Sequence, residues 1–95
     1  MKTIGLIGGM SWESSIEYYR IINEEIMKSV GSTHSAKCLM HSVDYKEIEE
    51  MESKGQWKEL TDKLTQISIE LKNAGADFIE GLMKIKLKDK FVLQN

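Results

Sequence analysis

Residues 5–11 read Gly-Leu-Ile-Gly-Gly-Met-Ser, and this stretch is the first in the sequence that could do chemistry. An apolar run that ends on a double glycine and then enters a helix can bring backbone close to a ligand. Amides at a helix start favour anions, phosphate or carboxylate alike. In open α/β sheets, ligands sit beyond the carboxyl ends of the strands. The spacing is not the G-x-G-x-x-G of dinucleotide folds, and it lacks the lysine-serine ending of a P-loop. Two readings stand: a tight turn that needs glycine for steric reasons alone, or an anion-binding turn. Met10 lies inside the turn, where a ligand would be, whereas most of the other methionines read as core filler.

The remaining candidates are weaker. Cys38 and His41 have the look of a ligand pair, but side chains three apart on a strand point to opposite faces. Cys38, the only cysteine, reads as a small buried hydrophobe. His34 falls in a loop with no partner, and no metal site is assigned. The acidic run Glu47, Glu49, Glu50 and Glu52 reads as a solvated helix face. Lys84, Lys86, Lys88 and Lys90 lack aromatic interleaving, so they carry little nucleic-acid signal. A formal net charge of -2 gives no global attraction to nucleic acid or to a membrane surface. A single cysteine excludes an internal disulfide and fits a reducing compartment. The apolar start meets glycine after about five residues, too soon for a signal peptide. No stretch approaches the roughly 20 apolar residues of a membrane helix. The expectation is a soluble, cytoplasmic chain with neither nucleic-acid nor membrane partners.

Elements must position these groups. Residues 3–7 are short, apolar and β-branched, as suits a strand buried on both faces. Ser14 and Glu17 have capping-box spacing for the start of a helix. Ile16, Tyr19, Ile22, Ile26 and Val30 then form one apolar stripe, and Gly31 closes the helix. Residues 36–42 read as a second strand. Asp44 and Glu47 make a second capping pair, opening a short helix with Ile48 and Met51 inward and Gly55 as its stop. Trp57, Leu60, Leu64, Ile67, Leu71 and Ala74 mark the strongest helix, closed by Gly75. A third strand begins at residues 76–79. Strands alternating with helices predict parallel pairing and an α/β layered fold.

Residues 80–95 change character, with four lysines against two acids, while residues 1–79 are net acidic. Lysine alternates there with apolar or acidic residues, which a charged-face strand and a frayed helix explain about equally.

The string MKTIGLIGGMSWESS, its continuation EYYRIINEEI, the segment HSAKCLMHSVDYKEIEE, the step Gly55-Gln56-Trp57 and NAGADFI together resemble the aspartate racemase branch of the aspartate/glutamate racemase family. The resemblance covers residues 1–79 almost without a gap. It implies two similar α/β domains facing each other across a cleft. It also implies racemisation of an acidic amino acid without pyridoxal phosphate or any other cofactor. Two acid/base groups, usually both cysteine, act on opposite faces of the α-carbon. One removes the proton as thiolate while the other delivers a proton from the far side. Oriented amides and hydroxyls hold the carboxylates. By this resemblance Gly8, Gly9, Met10 and Ser11 match the turn that lines the substrate site. Glu52 stands where the branch commonly has a glutamine that reaches the substrate, and an acid there would repel a carboxylate.

The departure comes after Ile79. The family runs on through two or three apolar residues into a C-T-N-T-M-H motif, which holds the first acid/base residue. Here Glu80-Gly81-Leu82-Met83-Lys84 follows, and no cysteine, asparagine or threonine occurs before Gln94. The G-C-T-E-type motif of the second domain is absent too. Cys38 stands where the family keeps core residues, so no catalytic residue is assigned. The segment LKDKF, residues 87–91, is faintly similar to a lysine-rich helix of the family's other half, and an internal deletion or a frameshift would each explain it.

The sequence therefore predicts a partial three-layer α/β sandwich: a partial amino-terminal racemase-like domain over residues 1–79 and a divergent tail over residues 80–95. As a fragment it is expected to be inactive, with an acidic amino acid as a weak small-molecule partner at Gly8, Gly9, Met10, Ser11 and Glu52. The alternatives are a weak carboxylate-binding module or an oligomerising interaction protein, with a homo-oligomer as the partner. The helix of residues 57–74 is expected to lose part of its packing surface, leaving a thin core and a molten or oligomeric state within reach.

Overall fold

The computed structural model describes residues 1–81. Its element order is β1 (Ile4–Gly8), α1 (Trp12–Val30), β2 (Cys38–Ser42), α2 (Tyr45–Ser53), α3 (Trp57–Asn73) and β3 (Phe78–Gly81). The strands form a parallel sheet in the order β2-β1-β3. The most apolar segment therefore lies in the centre, where both faces are covered. Its register aligns Ile4 with Cys38 and Phe78, and Leu6 with Met40 and Glu80. Asp77 locks the start of β1: its amide donates to the Thr3 carbonyl at 2.8 Å, and its carboxylate accepts from the Thr3 amide at 2.7 Å.

Strand alternation divides the sheet into two faces. Ile7, Leu39 and Ile79 point to the face covered by α2 and α3. There Ile48, Leu60, Leu64, Ile67 and Leu71 join them in one buried cluster, with Val43, Met10 and Ala76. The opposite face carries Leu6, Cys38, Met40 and Phe78, and α1 lies over it, as shown by Ser15 beside Gly8 and Met40. This is a three-layer α/β arrangement, as the periodicity predicts.

Several expectations need correction. The helix expected to lose its cover, α3, is well sealed, and its residues Leu60, Leu64, Ile67 and Leu71 are all buried. The uncovered helix is α1, where Ser15 is the only buried residue and Ile16, Tyr19 and Val30 of the expected inward stripe are exposed. By contrast, α3 packs on all three strands and on α2. Ala74, expected to end the α3 stripe, is exposed, and Ala76 takes the buried position instead.

The Ser14–Glu17 cap does not form. Ser11 is the N-cap and accepts from the Ser14 amide, so the helix begins three residues earlier. Glu17 instead pairs with Arg20 at 2.6 Å. Asp44 does cap α2, accepting from the Lys46 amide, but Glu47 reaches across to Lys63 on α3 at 3.0 Å. Cys38 is half-buried rather than buried. Glu80 and Gly81, grouped with the tail by composition, complete β3. The lysine alternation beyond Gly81 lies outside the described residues.

Candidate functional site

The double glycine stands where β1 ends, at the carboxyl edge of the sheet. Gly8 is the last residue of the strand, and its carbonyl accepts from the Val43 amide at 2.8 Å, tying the end of β1 to the segment after β2. Gly9 has φ +96°, a conformation that side chains rarely adopt. A Cβ on Gly9 would run into the Val43 carbonyl, with the Val43 amide at 2.7 Å and Ser42 Oγ at 2.8 Å. A Cβ on Gly8 would lie 2.8 Å from Ser15 Oγ. Both glycines are thus required by close approach within the chain, which supplies the steric reading of the turn with its physical cause.

The turn also presents donors. Ser15, buried one turn into α1, accepts from the Gly9 amide at 3.0 Å and donates to the Ser11 carbonyl at 3.4 Å. Ser11 Oγ lies 3.1 Å from Ser14 Oγ and caps the Ser14 amide at 3.4 Å. A helix leaves its first four amides without intrahelical acceptors. With Ser14 capped, those of Ser11, Trp12 and Glu13 remain at the helix start. The positive end of the α1 dipole adds to them. Ser11 has φ +86°, the one non-glycine residue with positive φ among the described residues. A serine held there is strained by about 1–3 kcal/mol, and the Ser15 bonds on either side of it hold the turn in place. An oxygen-bearing anion is the ligand this arrangement suits.

The sequence-predicted residues are not all brought together. Gly8, Gly9 and Ser11 line the turn. Met10 is only 6 % exposed, and its side chain packs into the α2–α3 core, so its backbone alone faces the turn. Glu52 is half-buried in the last turn of α2, roughly 10 Å of helix rise from Tyr45 at the other end. Cys38 and His41 point to opposite faces, as strand alternation requires. Among the described residues no group of three or more His, Cys, Asp or Glu side chains could hold a metal ion. No helix among them is long and apolar enough to cross a membrane. Ser15 escaped the sequence reading. Its signal was a small hydroxyl residue seven positions after Gly8, which shares meaning with the glycines only once the helix folds back over them.

Comparison with known proteins gives a consistent picture. The sequence model of the Asp/Glu/hydantoin racemase family matches residues 7–79. A Yersinia pestis protein assigned as an Asp/Glu racemase superposes with TM-score 0.88 at 46% identity, covering 95% of this chain and 40% of that one. An aspartate racemase homologue from Pyrococcus horikoshii superposes with TM-score 0.69 at 28% identity, covering 86% of this chain and 35% of that one. The 95 residues thus span less than half the length of these solved structures.

Proposed function

This chain belongs to the Asp/Glu/hydantoin racemase family, and on that premise we propose that it carries the carboxylate-binding turn of a cofactor-independent amino-acid racemase without the groups that move the proton. Racemisation of an amino acid such as aspartate needs an acid/base group on each side of the α-carbon. The single observation that carries the reading concerns the one thiol. Cys38 opens β2 in register with Ile4, whereas the Gly8 end of the sheet is in register with Ser42. Four strand residues separate the two levels, about 13 Å at the rise of a strand. A thiol at that distance cannot reach a substrate held at the turn, and no other cysteine is present in the sequence. His41 lies nearer the turn but projects from the face opposite to that of Gly8.

The expected binding mode uses backbone amides together with short hydroxyl side chains. Amides at the start of α1 and the hydroxyls of Ser11 and Ser14 donate hydrogen bonds to one carboxylate of an acidic amino acid, with affinity limited by the open side of the site. Met10 contributes its main chain, and Glu52 disfavours a second carboxylate if the ligand extends toward it. The experiment is exchange of the α-hydrogen of L-aspartate and L-glutamate in deuterated water, followed by NMR with the purified 95 residues at high concentration. No deuterium is expected to enter. Incorporation above the buffer rate that Ser11→Gly abolishes would overturn the reading. Saturation-transfer NMR with the same ligands tests the binding half: a signal lost in Ser11→Gly supports a carboxylate site, and its absence in the parent chain removes the site.

A further inference from the structure

Ser15 is the one buried polar or charged residue among the described residues, 5% exposed. A serine hydroxyl has one proton to donate and two lone pairs with which to accept. Here the proton is directed to the Ser11 carbonyl at 3.4 Å, which also accepts from the Ser15 amide at 3.2 Å. A lone pair accepts from the Gly9 amide at 3.0 Å. The hydroxyl can sit there because residue 8 has no side chain: a Cβ on Gly8 would stand 2.8 Å from Ser15 Oγ and 3.3 Å from Met40 Sδ. The amides of the turn then fall into two groups. Gly9 is buried and its amide is engaged, whereas Ser11 is half-buried and Trp12 and Glu13 are exposed. The amides of these three have no acceptor within the helix.

We propose that Ser15 is a positioning residue that sorts these donors: it withholds the Gly9 amide from a ligand and aims the helix-start amides of Ser11, Trp12 and Glu13 at a carboxylate. This rests on the carboxylate-binding reading of the turn and adds which donors serve it. The carbonyl and the amide of one peptide unit are coplanar and point in opposite directions, so fixing one end fixes the other. The Gly8–Gly9 peptide is pinned at both ends, its carbonyl accepting from the Val43 amide at 2.8 Å and its amide donating to Ser15. It has nothing left to offer a ligand. The Ser11–Trp12 peptide is pinned at one end only. Two bonds from Ser15 converge on its carbonyl, which sets the direction of the Trp12 amide at the other end. The same two bonds restrain Ser11 at φ +86°. A conformation of that kind persists only where its surroundings hold it from several sides. The two glycines then serve the site by admitting Val43 and Ser15, and not by touching the ligand.

Water-exchange NMR on the nitrogen-labelled 95-residue chain, with and without L-aspartate, tests this amide by amide. Without ligand, the Gly9 amide should exchange slowly and those of Ser11, Trp12 and Glu13 fast. Saturating L-aspartate should slow the latter three and leave Gly9 as it was. Ser15→Ala should speed Gly9 exchange and weaken L-aspartate binding about tenfold, as happens when a buried donor loses its acceptor and the group it oriented is released. Ile67→Val, a core truncation away from the turn, separates positioning from general stability. It should lower the unfolding midpoint while leaving both Gly9 exchange and the affinity at their parent values. Fast Gly9 exchange in the parent, or Gly9 protection that appears only with ligand, would overturn the proposal whether or not Ser15→Ala folds. Parent-like affinity in Ser15→Ala, or an equal loss in Ile67→Val, would overturn it as well. A parent chain that binds no L-aspartate would instead remove the carboxylate site itself, and this role of Ser15 with it.

Discussion

The two faces of the sheet are built from similar material and meet different fates. On one, α3 has a regular apolar stripe, and Leu60, Leu64, Ile67 and Leu71 are all buried against Ile7 and Ile79. On the other, α1 has a stripe of the same spacing, yet only Ser15 is buried and Ile16, Tyr19 and Val30 face outward. Helical periodicity reports that a face seeks cover. It does not report whether the same chain supplies the cover. One helix and three strands close over α3, while α1 has a single sheet face beneath it and no closely packed helix beside it among the described residues.

The sharpest way to break this contrast is to truncate one residue on each side. Leu64→Ala should destabilise the chain by about 2–5 kcal/mol, because Leu64 is fully buried and its removal leaves a cavity. Ile16→Ala, measured in dilute solution where single chains prevail, should change stability by less than about 0.5 kcal/mol, as at an ordinary surface position. Chemical denaturation of both variants gives the two values. Comparable losses would mean that α1 is as much a part of the core as α3.

The next effect concerns the turn that joins the two faces. Gly9→Ala meets both a positive φ and the Val43 backbone, so about 3 kcal/mol should be lost. Gly55→Ala has a positive φ but nothing within 4 Å of the added methyl, and should lose about 1 kcal/mol. If the two lost equal amounts, close approach to Val43 would not be what demands glycine at the turn.

Amide exchange then compares the helices without any substitution. The central amides of α3 should exchange at rates set by global unfolding, and those of α1 faster by about tenfold or more, since a helix with little buried surface opens locally. Equal protection in dilute solution would erase the difference between the faces.

The smallest effect is electrostatic. Hydrogen bonding and charge from Arg20 hold the Glu17 carboxyl below its ordinary range. A carboxyl whose folded-state pKa is depressed adds stability that is present above its unfolded pKa and lost as pH falls through the folded value. Arg20→Ala should therefore lower the melting temperature slightly at neutral pH, and the difference should vanish in acid below the ordinary glutamate range. Both side chains are solvent-exposed, so added salt should shrink it too. A difference that persists in acid would point to lost packing of the Arg20 stem.

Local chemistry made much of the molecule legible. The α3 stripe from Leu60 to Leu71, the closing glycines Gly31, Gly55 and Gly75, and the Asp44 cap all depend on residues within one or two turns, and all are found as the spacing implies. The failures share a cause. Ser14 and Glu17 satisfy the capping pattern, but the turn delivers the chain to Ser11 first, and Arg20 captures Glu17 from within the helix. Glu47 fits the capping pattern of its own helix but pairs with Lys63 on another. Met10 lies inside the glycine turn in sequence, and its side chain is drawn into the core because Val43, Ile48 and the α3 stripe gather behind it. The candidate site divides in the same way. Its glycines announced a turn, while Ser15, which fastens it, came into view only with the helix laid over the strand.

The order of residues by itself determined where helices and strands form, because those depend on backbone preferences and side-chain periods that act over a few positions. It also determined that one thiol exists and at which end of its strand it stands. Which apolar face would be sealed and which left open was settled only by tertiary structure. Burial depends on how many elements converge on a surface, and that number is a property of the assembled layers, not of any one segment's pattern.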